Sequence, residues 1–536
     1  MIHYRSPGLL LKTGLIPCII IALCSAVHLD PGKQAAEARD TDTLDIRITD
    51  NKQFQVMDNF GARDAWSCQY VGLWADSVKS KIADLLFSQK MSEKGDPLGI
   101  GLSAWRFNIG AGSAEQGDQS GIKDHWRRAE SFLLKDGGYD FEKAKGQMWF
   151  LQAAKKRGVK DFIGFCNSAP YSMTINAKTY SDGGKTNLVP AHYAEFANYL
   201  IQVIKGVKKV SGVLLNYISP VNEPQWDWSD GGQEGSPYLN TEIAALVRKI
   251  NGKLVANKIP TKISVAEAGE IDYLYTEGNK PERGTQIQQF LMPGSDNSLL
   301  GLSGVSHKIS AHSYFTTSPF SKGRLMREKI SHQIYLAKKR SGMDDMGYWM
   351  SEYCILGDNA GEMDGNHRDL GMASALYLAK VVYMDLCYAN ASAWHWWLAI
   401  SPYDYKDGLI YVDKSSDTGK YYESKMLWVL GNYSRFIRPG YIRIADSIIH
   451  SSDQDPNVLI SSFKDATSKK LVVVGVNNGQ AGKMIKLESP KQGYHIKDLY
   501  VTSQKYNLHH ILINEKNKRY IMLPAQSVMT MTGNLK

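Results

Sequence analysis

The sequence lacks several features that would identify common protein classes. No Cys-x-x-Cys pair occurs among its six cysteines, which excludes a zinc knuckle. The formal net charge is only +9 in 536 residues, and no basic block or arginine-rich arm of a nucleic-acid-binding protein is present. No GxGxxG follows an early strand, and no His/Asp cluster at strand ends suggests a metal-dependent hydrolase. These absences leave a globular protein for which we predict no metal, no cofactor and no nucleic-acid partner.

The length and composition indicate a large folded chain. With 536 residues, it has room for a large catalytic domain and one accessory domain. Hydrophobic residues make up 43% and charged residues 22%, which is close to the globular average. The chain is therefore expected to bury a sizeable core rather than to be disordered.

The first residues have the pattern of an export signal. Arg5 and Lys12 precede an apolar run at residues 15–23, which is too short to span a membrane but suits the apolar region of a secretory signal. We predict a signal peptide at residues 1–26, cleaved after Ala26, and a linker at residues 27–42. The protein is then secreted or periplasmic. Lipidation of Cys24, giving a cell-surface lipoprotein, is the alternative, and the bulky Leu23 before it disfavours this.

The cysteines beyond the signal do not form a disulfide framework. Cys68, Cys166, Cys354 and Cys387 are widely separated in the sequence. An exported chain permits disulfides, but this spacing favours buried thiols.

The composition changes near Pro439, because all 12 Trp lie between Trp66 and Trp428. Before this point, short apolar runs alternate with amphipathic stretches, as in repeated β and α units. The strand candidates are residues 55–61, 102–109, 159–165, 214–219, 261–266, 308–315, 347–351 and 391–397. The helix candidates are residues 77–88, 142–157, 191–208, 241–256, 324–340 and 367–388. We therefore assign residues 55–438 to an α/β fold, a (β/α)8 TIM barrel, with a doubly wound open sheet as the competing architecture.

Short β-rich runs separated by polar turns follow this region. They occupy residues 442–450, 458–463, 470–476, 483–487, 495–502 and 520–523, as expected of a β-sandwich. Residues 439–536 are therefore predicted to form a small all-β sandwich domain. A further strand at residues 43–54 is predicted to join it.

Two glutamates lie near the ends of candidate strands. Glu223 is in Asn-Glu-Pro and Glu352 is in Ser-Glu-Tyr. The carboxyl ends of parallel barrel strands meet at one mouth, so side chains from the fourth and seventh strands would face each other across it. Two carboxyl groups about 5 Å apart cleave a glycosidic bond with retention of configuration. We predict Glu223 as the acid/base and Glu352 as the nucleophile.

Either motif alone is weak, and other acidic residues compete for these roles. Asp64, Asp227, Glu267 and Glu270 also lie near strand ends. Glu267 and Glu270 are expected to make structural hydrogen bonds instead. The two proposed catalytic residues are favoured because the strand order and the surrounding residue types agree with them.

A saccharide site needs aromatic rings for the C–H faces of sugars and fixed partners for their hydroxyls. The aromatic candidates are Trp66, Tyr171, Trp226, Trp228, Trp396 and Trp397, and the polar candidates are Asp64, Arg106, Asn108, Asn167, Asn222, His312 and Tyr314. Any one of these tryptophans can equally be a core residue, Arg106 a buried ion-pair partner and His312 a core histidine. Residues 394 and 396 share one strand face and residues 395 and 397 share the other, so only one pair can point into the barrel.

Six motifs together resemble glycoside hydrolase family 30. They are residues 60–66 (FGARDAW), 103–108 (SAWRFN), 219–224 (SPVNEP), 311–314 (AHSY), 351–354 (SEYC) and 396–399 (WWLA). The resemblance implies a (β/α)8 barrel joined to a β-sandwich that hydrolyses β-linked sugars with retention, and it gives Glu223 and Glu352 the roles above. It further implies that Asn222 holds a sugar 2-hydroxyl, that Tyr314 lies beside the nucleophile, and that Asp64 and Trp396 line the sugar pocket. Tyr171 stands where glucocerebrosidase-like members have tryptophan.

Two stretches narrow the resemblance to one branch. Residues 65–69 and 107–116 are similar to the bacterial branch that includes endo-β-1,6-galactanases. We therefore expect an endo-β-1,6-galactanase whose partner is a β-linked oligo- or polysaccharide. A β-glucosidase, β-1,6-glucanase or xylanase of the same family is the alternative, and a surface glycan-binding protein without catalysis is the alternative from a different class.

Overall fold

The computed structural model describes residues 43–449, 457–488, 493–513 and 520–535. The predicted signal peptide and linker lie outside the described residues. Residues Leu44–Lys536 group into one compact unit. Within the described ranges, no helix has the length and apolar character needed to cross a membrane.

The central element is a closed barrel of parallel strands. After β1 (Thr43–Val56), the barrel strands are β2 (Asn59–Arg63), β3 (Ala104–Asn108), β4 (Asp161–Phe165), β5 (Tyr217–Ser219), β6 (Lys262–Ala268), β7 (Val305–His312), β8 (Gly347–Tyr353) and β9 (Ala391–Ser401). The last strand pairs with both β8 and β2, which closes the barrel. The predicted barrel is confirmed, and the open sheet is excluded.

Helices surround this barrel. They are α1 (Cys68–Val71), α2 (Asp76–Phe87), α3 (Ser113–Gln116), α4 (Lys145–Lys156), α5 (Tyr193–Ser211), α6 (Asn240–Ala256), α7 (Gln286–Leu291), α8 (Phe320–Ser341), α9 (Met372–Cys387) and α10 (Lys425–Ser434). Single 3-10 turns occur at Gly117–Ser120, His125–Arg127, Tyr171–Met173, Pro190–His192, Ile271–Leu274, Pro281–Arg283 and Asn359–Gly361. The buried positions of α5, including Phe196, Leu200 and Val207, recur every three or four residues, as required for packing one face on the barrel. This helix ends at Gly212, whose left-handed backbone favours glycine.

A second, nine-stranded sheet follows the barrel. Strands β10 (Gly408–Val412) and β11 (Tyr421–Glu423) first extend the barrel sheet, and the second sheet contains β12 (Tyr441–Ile449), β13 (Val458–Asp465), β14 (Lys470–Asn477), β15 (Lys483–Glu488), β16 (Tyr494–Thr502), β17 (His509–Leu512), β18 (Tyr520–Leu523) and β19 (Ser527–Leu535). Its strand order is β17-β16-β19-β14-β13-β12-β1-β15-β18. The amino-terminal strand β1 pairs antiparallel with β12. The sequence analysis did not predict β10, β11, β17 or β19.

The two faces of the second sheet contribute to different cores. On β14, Val472 and Val474 belong to the large core that contains the barrel residues, whereas Leu471 and Val473 belong to a separate core within the β-domain. This alternation follows from the two-residue period of a strand. Helices α9 and α10 pack against strands of this sheet. The barrel and the β-domain therefore share apolar packing.

The cysteines are free thiols in the described residues. Cys68, Cys166 and Cys354 are buried, and Cys387 is partly buried. This agrees with the expectation of buried thiols rather than a disulfide scaffold.

Candidate active site

The two glutamates singled out by sequence lie together at the carboxyl end of the barrel. Glu223 follows β5, the fourth barrel strand, and Glu352 lies in β8, the seventh. A carboxylate oxygen of each, together with a ring nitrogen of His312, lie within 4.8 Å of one another. Both side chains are almost wholly buried. The predicted convergence of these two residues is therefore observed, while their individual roles stay predictions.

His312 bridges the acidic groups of the site. Its Nδ1 lies 2.7 Å from Oε1 of Glu223, and its Nε2 lies 3.0 Å from Oε2 of Glu267. The same Nδ1 is 3.6 Å from Oε1 of Glu352. Because His312 is fully buried and both its ring nitrogens lie within hydrogen-bond distance of carboxylates, it positions Glu223 and Glu267. This agrees with the alternative of a core histidine, and its role as a substrate-binding residue stays a prediction.

Two buried arginines place positive charge next to the carboxylates of Glu352 and Glu267. Arg63, at the end of β2, forms an ion pair with Glu352, and its Nη2 donates to Oδ1 of Asn222 at 3.2 Å. Arg106 in β3 lies 3.1 Å from Glu267 and donates to the backbone carbonyl of Ser351. Neither side chain is more than 1% exposed. Arg106 is therefore a buried ion-pair partner, the alternative that sequence left open.

Tyr314 and Glu267 complete the surroundings of the nucleophile candidate. The Tyr314 hydroxyl donates to Oε1 of Glu352 at 2.9 Å, and the Ser351 hydroxyl donates to Oε2 of Glu267 at 2.6 Å. The backbone N–H of Glu223 donates to the carbonyl of Glu267 at 2.8 Å. Glu267 thus accepts hydrogen bonds from the backbone of Glu223 and from Ser351, the residue before Glu352 in β8.

Burial and charge place the titratable groups in different protonation states. Burial raises the pKa of Glu223, and the hydrogen bond and charge of His312 oppose this increase. Burial also acts on Glu267, but Arg106, His312 and Arg63 outweigh it and hold its pKa well below the ordinary value. Burial alone would lower the pKa of His312, yet the neighbouring Glu352, Glu223 and Glu267 raise it to about 9. The site therefore holds an anionic Glu267 and a cationic His312 beside a carboxyl group that favours its protonated form.

A cluster of buried polar side chains, the polar cluster, lies on the side of β2, β3 and β4. Asp64, Asn108, Asn167 and Trp66 are each at most 4% exposed. Asp64 Oδ2, Asn108 Oδ1, both amide atoms of Asn167 and Nε1 of Trp66 have no hydrogen-bond partner among the described residues. Asp64 also accepts from the backbone N–H of Asn108 at 2.7 Å, and burial raises its pKa to about 7. Unpaired buried polar atoms are costly, so this cluster is suited to the hydroxyls of a sugar ring.

Trp397 is the aromatic residue of β9 that lies beside this cluster. The Arg63 guanidinium lies 5.0 Å from its ring centroid, and Trp66 packs edge-on against it at 5.3 Å. Trp396 points to the opposite strand face, where it is fully buried, packs on Trp394 and donates to the carbonyl of Asp407. Of the two tryptophans predicted for the sugar site, the structure thus brings Trp397 to the polar cluster, because adjacent strand residues point to opposite faces.

The remaining predicted aromatics lie on the rim. Tyr171 is partly exposed beside Gly112, and Trp226 is partly exposed with its backbone N–H donating to the carbonyl of Glu223. Trp228 donates from Nε1 to the same carbonyl at 3.0 Å and so supports the loop. Asp227, a competing acid, is exposed and pairs with Lys280. Its position on the surface removes it as a catalytic candidate.

Arg63 and Phe315 were not predicted from sequence as site residues. Arg63 lies at the end of a barrel strand, so the rule that selected Glu223 and Glu352 would also have selected it. Phe315 is 45% exposed at the mouth, and its φ of 57° is unusual for a residue other than glycine. Glu223 and Glu267 share this left-handed backbone, with φ of 43° and 56°. Such conformations concentrate at functional sites, but no single-sequence signal predicts them.

The same cluster contains residue types that can bind a metal ion. Glu223, His312 and Glu352 each offer a ligand atom. Both His312 nitrogens already lie within hydrogen-bond distance of carboxylates, and Arg63 pairs with Glu352. These contacts satisfy the acidic groups with donors from the chain itself.

Comparison with known proteins places the chain among glycoside hydrolases. A family model described as O-glycosyl hydrolase family 30 matches residues 43–411. The chain is 26% identical over 367 residues to glucuronoxylanase XynC of Bacillus subtilis, covering 66% of this chain and 70% of that protein. A conserved exported protein from Bacteroides fragilis has a similar structure, with a TM-score of 0.83 and 32% identity, covering 91% of this chain and 99% of that one. The endo-β-1,6-glucanase BT3312 shares the fold at a TM-score of 0.65 and 17% identity, covering 92% and 94% of the two chains.

Proposed function

The chain belongs to O-glycosyl hydrolase family 30 and is a glycoside hydrolase acting on polysaccharide, and we propose that it is a retaining endo-β-1,6-galactanase. One observation carries the retaining mechanism: carboxylate oxygens of Glu223 and Glu352 lie within 4.8 Å of each other. Retaining enzymes hold their carboxyl groups about 5 to 5.5 Å apart, whereas inverting enzymes leave room for a water between them.

In the first step, Glu352 attacks the anomeric carbon and Glu223 protonates the departing glycosidic oxygen. Arg63 and Tyr314 hold Glu352 as the ionised nucleophile. His312 occupies Oε1 of Glu223, so Oε2 carries the proton that is transferred. In the second step, the Glu223 carboxylate takes a proton from water, which attacks the glycosyl–Glu352 ester and releases the sugar with its original configuration.

Replacement of the proposed nucleophile tests this mechanism. Glu352→Gln removes the attacking charge while keeping the side-chain volume, and we expect kcat to fall by at least about a thousandfold. Circular dichroism and thermal unfolding of the variant should match those of the unaltered protein. Undiminished turnover by a correctly folded Glu352→Gln protein would eliminate Glu352 as nucleophile.

The proposed substrate rests on two loop stretches. Residues 65–69 and 107–116, which are similar to the galactanase branch, contribute Trp66 and Asn108 to the polar cluster. Gln69, the last residue of the first stretch, donates to the backbone carbonyls of Trp126 and Arg128. Galactan cleavage is thus proposed from residues beside the predicted sugar site.

Xylan is the second candidate, because the Bacillus subtilis relative is named a glucuronoxylanase. Product analysis on β-1,6-galactan, xylan and β-1,6-glucan separates the candidates, with the anomer of the first product followed by NMR. We expect galactan to be cut first and to release the β-anomer. Attack on xylan but not galactan would reverse the ranking, an α-anomer would eliminate retention, and no cleavage of any glycan would favour the non-catalytic alternative.

Export is a further part of the proposal. The structurally similar Bacteroides fragilis protein is described as exported. Mass spectrometry of the protein from its native host is expected to give a chain that begins after Ala26. A chain lipidated at Cys24 would replace soluble export by a cell-surface anchor.

A further inference from the structure

The two sides of the barrel mouth differ in chemistry. The side formed by β2, β3 and β4 carries the buried, unpaired polar atoms of Asp64, Asn108 and Asn167. The opposite side is formed by the loops that follow β6 and β7, and it carries the exposed apolar ring of Phe315. A sugar ring held before cleavage needs many fixed hydroxyl partners, so the polar side is suited to the ring that forms the covalent intermediate. The apolar side is then left for the sugar that departs.

Phe315 forms an aromatic corner with Trp226. The two ring centroids are 6.1 Å apart, and the rings are nearly perpendicular at 87°. Trp226 lies three residues beyond Glu223, and the backbone N–H of Trp226 donates to the Glu223 carbonyl at 3.1 Å. The corner therefore lies beside the residue that protonates the leaving group. Partly exposed rings in this position can stack on the C–H face of a sugar.

Both rings lie against glycines on neighbouring loops. A Cβ on Gly269 would lie 2.5 Å from Nε1 of Trp226, and a Cβ on Gly357 would lie 2.9 Å from the Phe315 ring. Glycine permits these close approaches because it has no Cβ. Each ring therefore packs directly against the backbone of a neighbouring loop.

A carboxylate residue follows Gly269, the glycine that lies against Trp226. This residue, Glu270, is half-buried, and no hydrogen bond or ion pair among the described residues involves its side chain. Burial, Asp272 and Glu223 raise its pKa to about 7, and Lys322 opposes them. The expectation that Glu270 makes a structural hydrogen bond is therefore wrong. Its free oxygens are available to sugar hydroxyls.

We infer that Trp226, Phe315 and Glu270 form the binding site for the leaving-group saccharide. The rings stack on the first sugar beyond the cleaved bond, and Glu270 accepts from its hydroxyls. This inference rests on the proposed retaining mechanism and adds the residues that recognise the departing chain. It also implies a second activity, in which a saccharide bound here replaces water in the second step.

That transfer reaction balances without any further reactant. The acceptor hydroxyl oxygen attacks the anomeric carbon of the glycosyl–Glu352 ester, and Glu223 takes the hydroxyl proton. A new glycosidic bond forms, the ester bond breaks, and Glu352 leaves as a carboxylate.

The test compares leaving groups with and without a sugar ring. Phe315→Ala, Trp226→Ala and the double variant are assayed on oligosaccharides of the preferred glycan and on the matching glycosyl fluoride. Fluoride has no ring to stack and departs without a proton. We expect kcat/KM on oligosaccharides to fall about tenfold for each single variant and fluoride hydrolysis to stay within about twofold. The fraction of glycosyl fluoride transferred to an added disaccharide should fall in parallel, and Glu270→Gln should weaken transfer in the same way.

Tyr335→Ala is the matched control. Tyr335 is an exposed aromatic residue of α8 near the amino ends of β8 and β9, away from the mouth. The control should retain both activities and transfer. Equal losses on fluoride and oligosaccharide, or no loss on either, would overturn the inference. A failure of the retaining mechanism is distinguishable, because it appears as an α-anomer or as an active Glu352→Gln protein, whatever the result for these variants.

Discussion

At the scale of single residues, burial and neighbouring charges shift the pKa values of the buried glutamates in opposite directions. Burial raises the pKa of Glu223, as a catalytic acid requires. His312, which lies beside Glu223, opposes this increase. Arg106, His312 and Arg63 keep Glu267 ionised, and Glu267 in turn stabilises the His312 cation. The contacts that run from Arg106 through Glu267 and His312 thus set the pKa of Glu223, the proposed acid.

His312→Gln tests this competition. Loss of the imidazolium removes a charge that lowers the pKa of Glu223, so the pKa of Glu223 should rise. The acid must be protonated, so the alkaline limb of the kcat/KM profile should move to higher pH by about one unit or more. Steady-state kinetics across pH measures this limb.

His395→Gln is the matched control for the pH profile. His395 is also a fully buried barrel histidine, but burial holds its pKa well below the ordinary value, so it is neutral. Its replacement removes no charge and should leave the alkaline limb in place. A limb that moves equally in both variants, or in neither, contradicts the role given to His312.

At the scale of elements, two outer helices fix the loop that carries Tyr314. Arg327 of α8 pairs with Asp385 of α9 at 2.6 Å and donates to the Thr316 carbonyl at 2.8 Å. The Ser313 hydroxyl donates to Asp385 at 3.0 Å. These contacts hold the residues on both sides of Tyr314, which donates to the nucleophile candidate.

Arg327→Met should destabilise the protein and slow catalysis. Arg327 and Asp385 have no solvent exposure, and removal of one partner leaves an unpaired buried charge, which costs about 3–5 kcal/mol. The free energy of unfolding from denaturant titration should fall by this amount, and kcat should fall as the loop loosens. The double variant Arg327→Met/Asp385→Leu should recover part of the stability.

Arg324→Met, on the same helix, is the control. Arg324 pairs with Glu328 on the surface, and such pairs contribute less than about 1 kcal/mol. If Arg327→Met and Arg324→Met lower the free energy of unfolding by the same amount, the buried pair does not anchor the loop.

At the scale of the whole molecule, the barrel and β-domain are joined by shared packing. Val474 lies in the core that contains the barrel residues, whereas the adjacent Val473 lies within the β-domain. Asn432 of α10 also donates to the backbone carbonyl of Tyr500 at 3.1 Å across the junction. The β-domain therefore buries one of its faces only when the barrel is present.

We predict that the two parts unfold in one transition. Val473→Ala and Val474→Ala should each lower the stability by on the order of 2 kcal/mol, and both should shift a single calorimetric peak. Two separate peaks, or a Val473→Ala protein in which only part of the chain melts early, would show that the β-domain folds on its own.

The barrel was predictable from sequence because each strand and helix carries its own local hydrophobic pattern. The position of Glu223 and Glu352 also followed, since the end of a barrel strand is a place that topology assigns without reference to side-chain contacts. Strands β17 and β19 were missed, although β19 pairs along its length with β14 and β16. Their strand character arises from these partners rather than from local periodicity.

The sequence by itself determined the fold class, the residues at the strand ends and the proposed chemistry of two carboxyl groups. Only the tertiary structure decided that Trp397, rather than Trp396, lies beside Arg63 and Trp66, because a shift of one residue along a strand reverses its side. It also decided that His312 bridges Glu223 and Glu267 and that Phe315 meets Trp226. These contacts join residues from different strands, and their distances depend on how the barrel closes, which no local pattern of residues encodes.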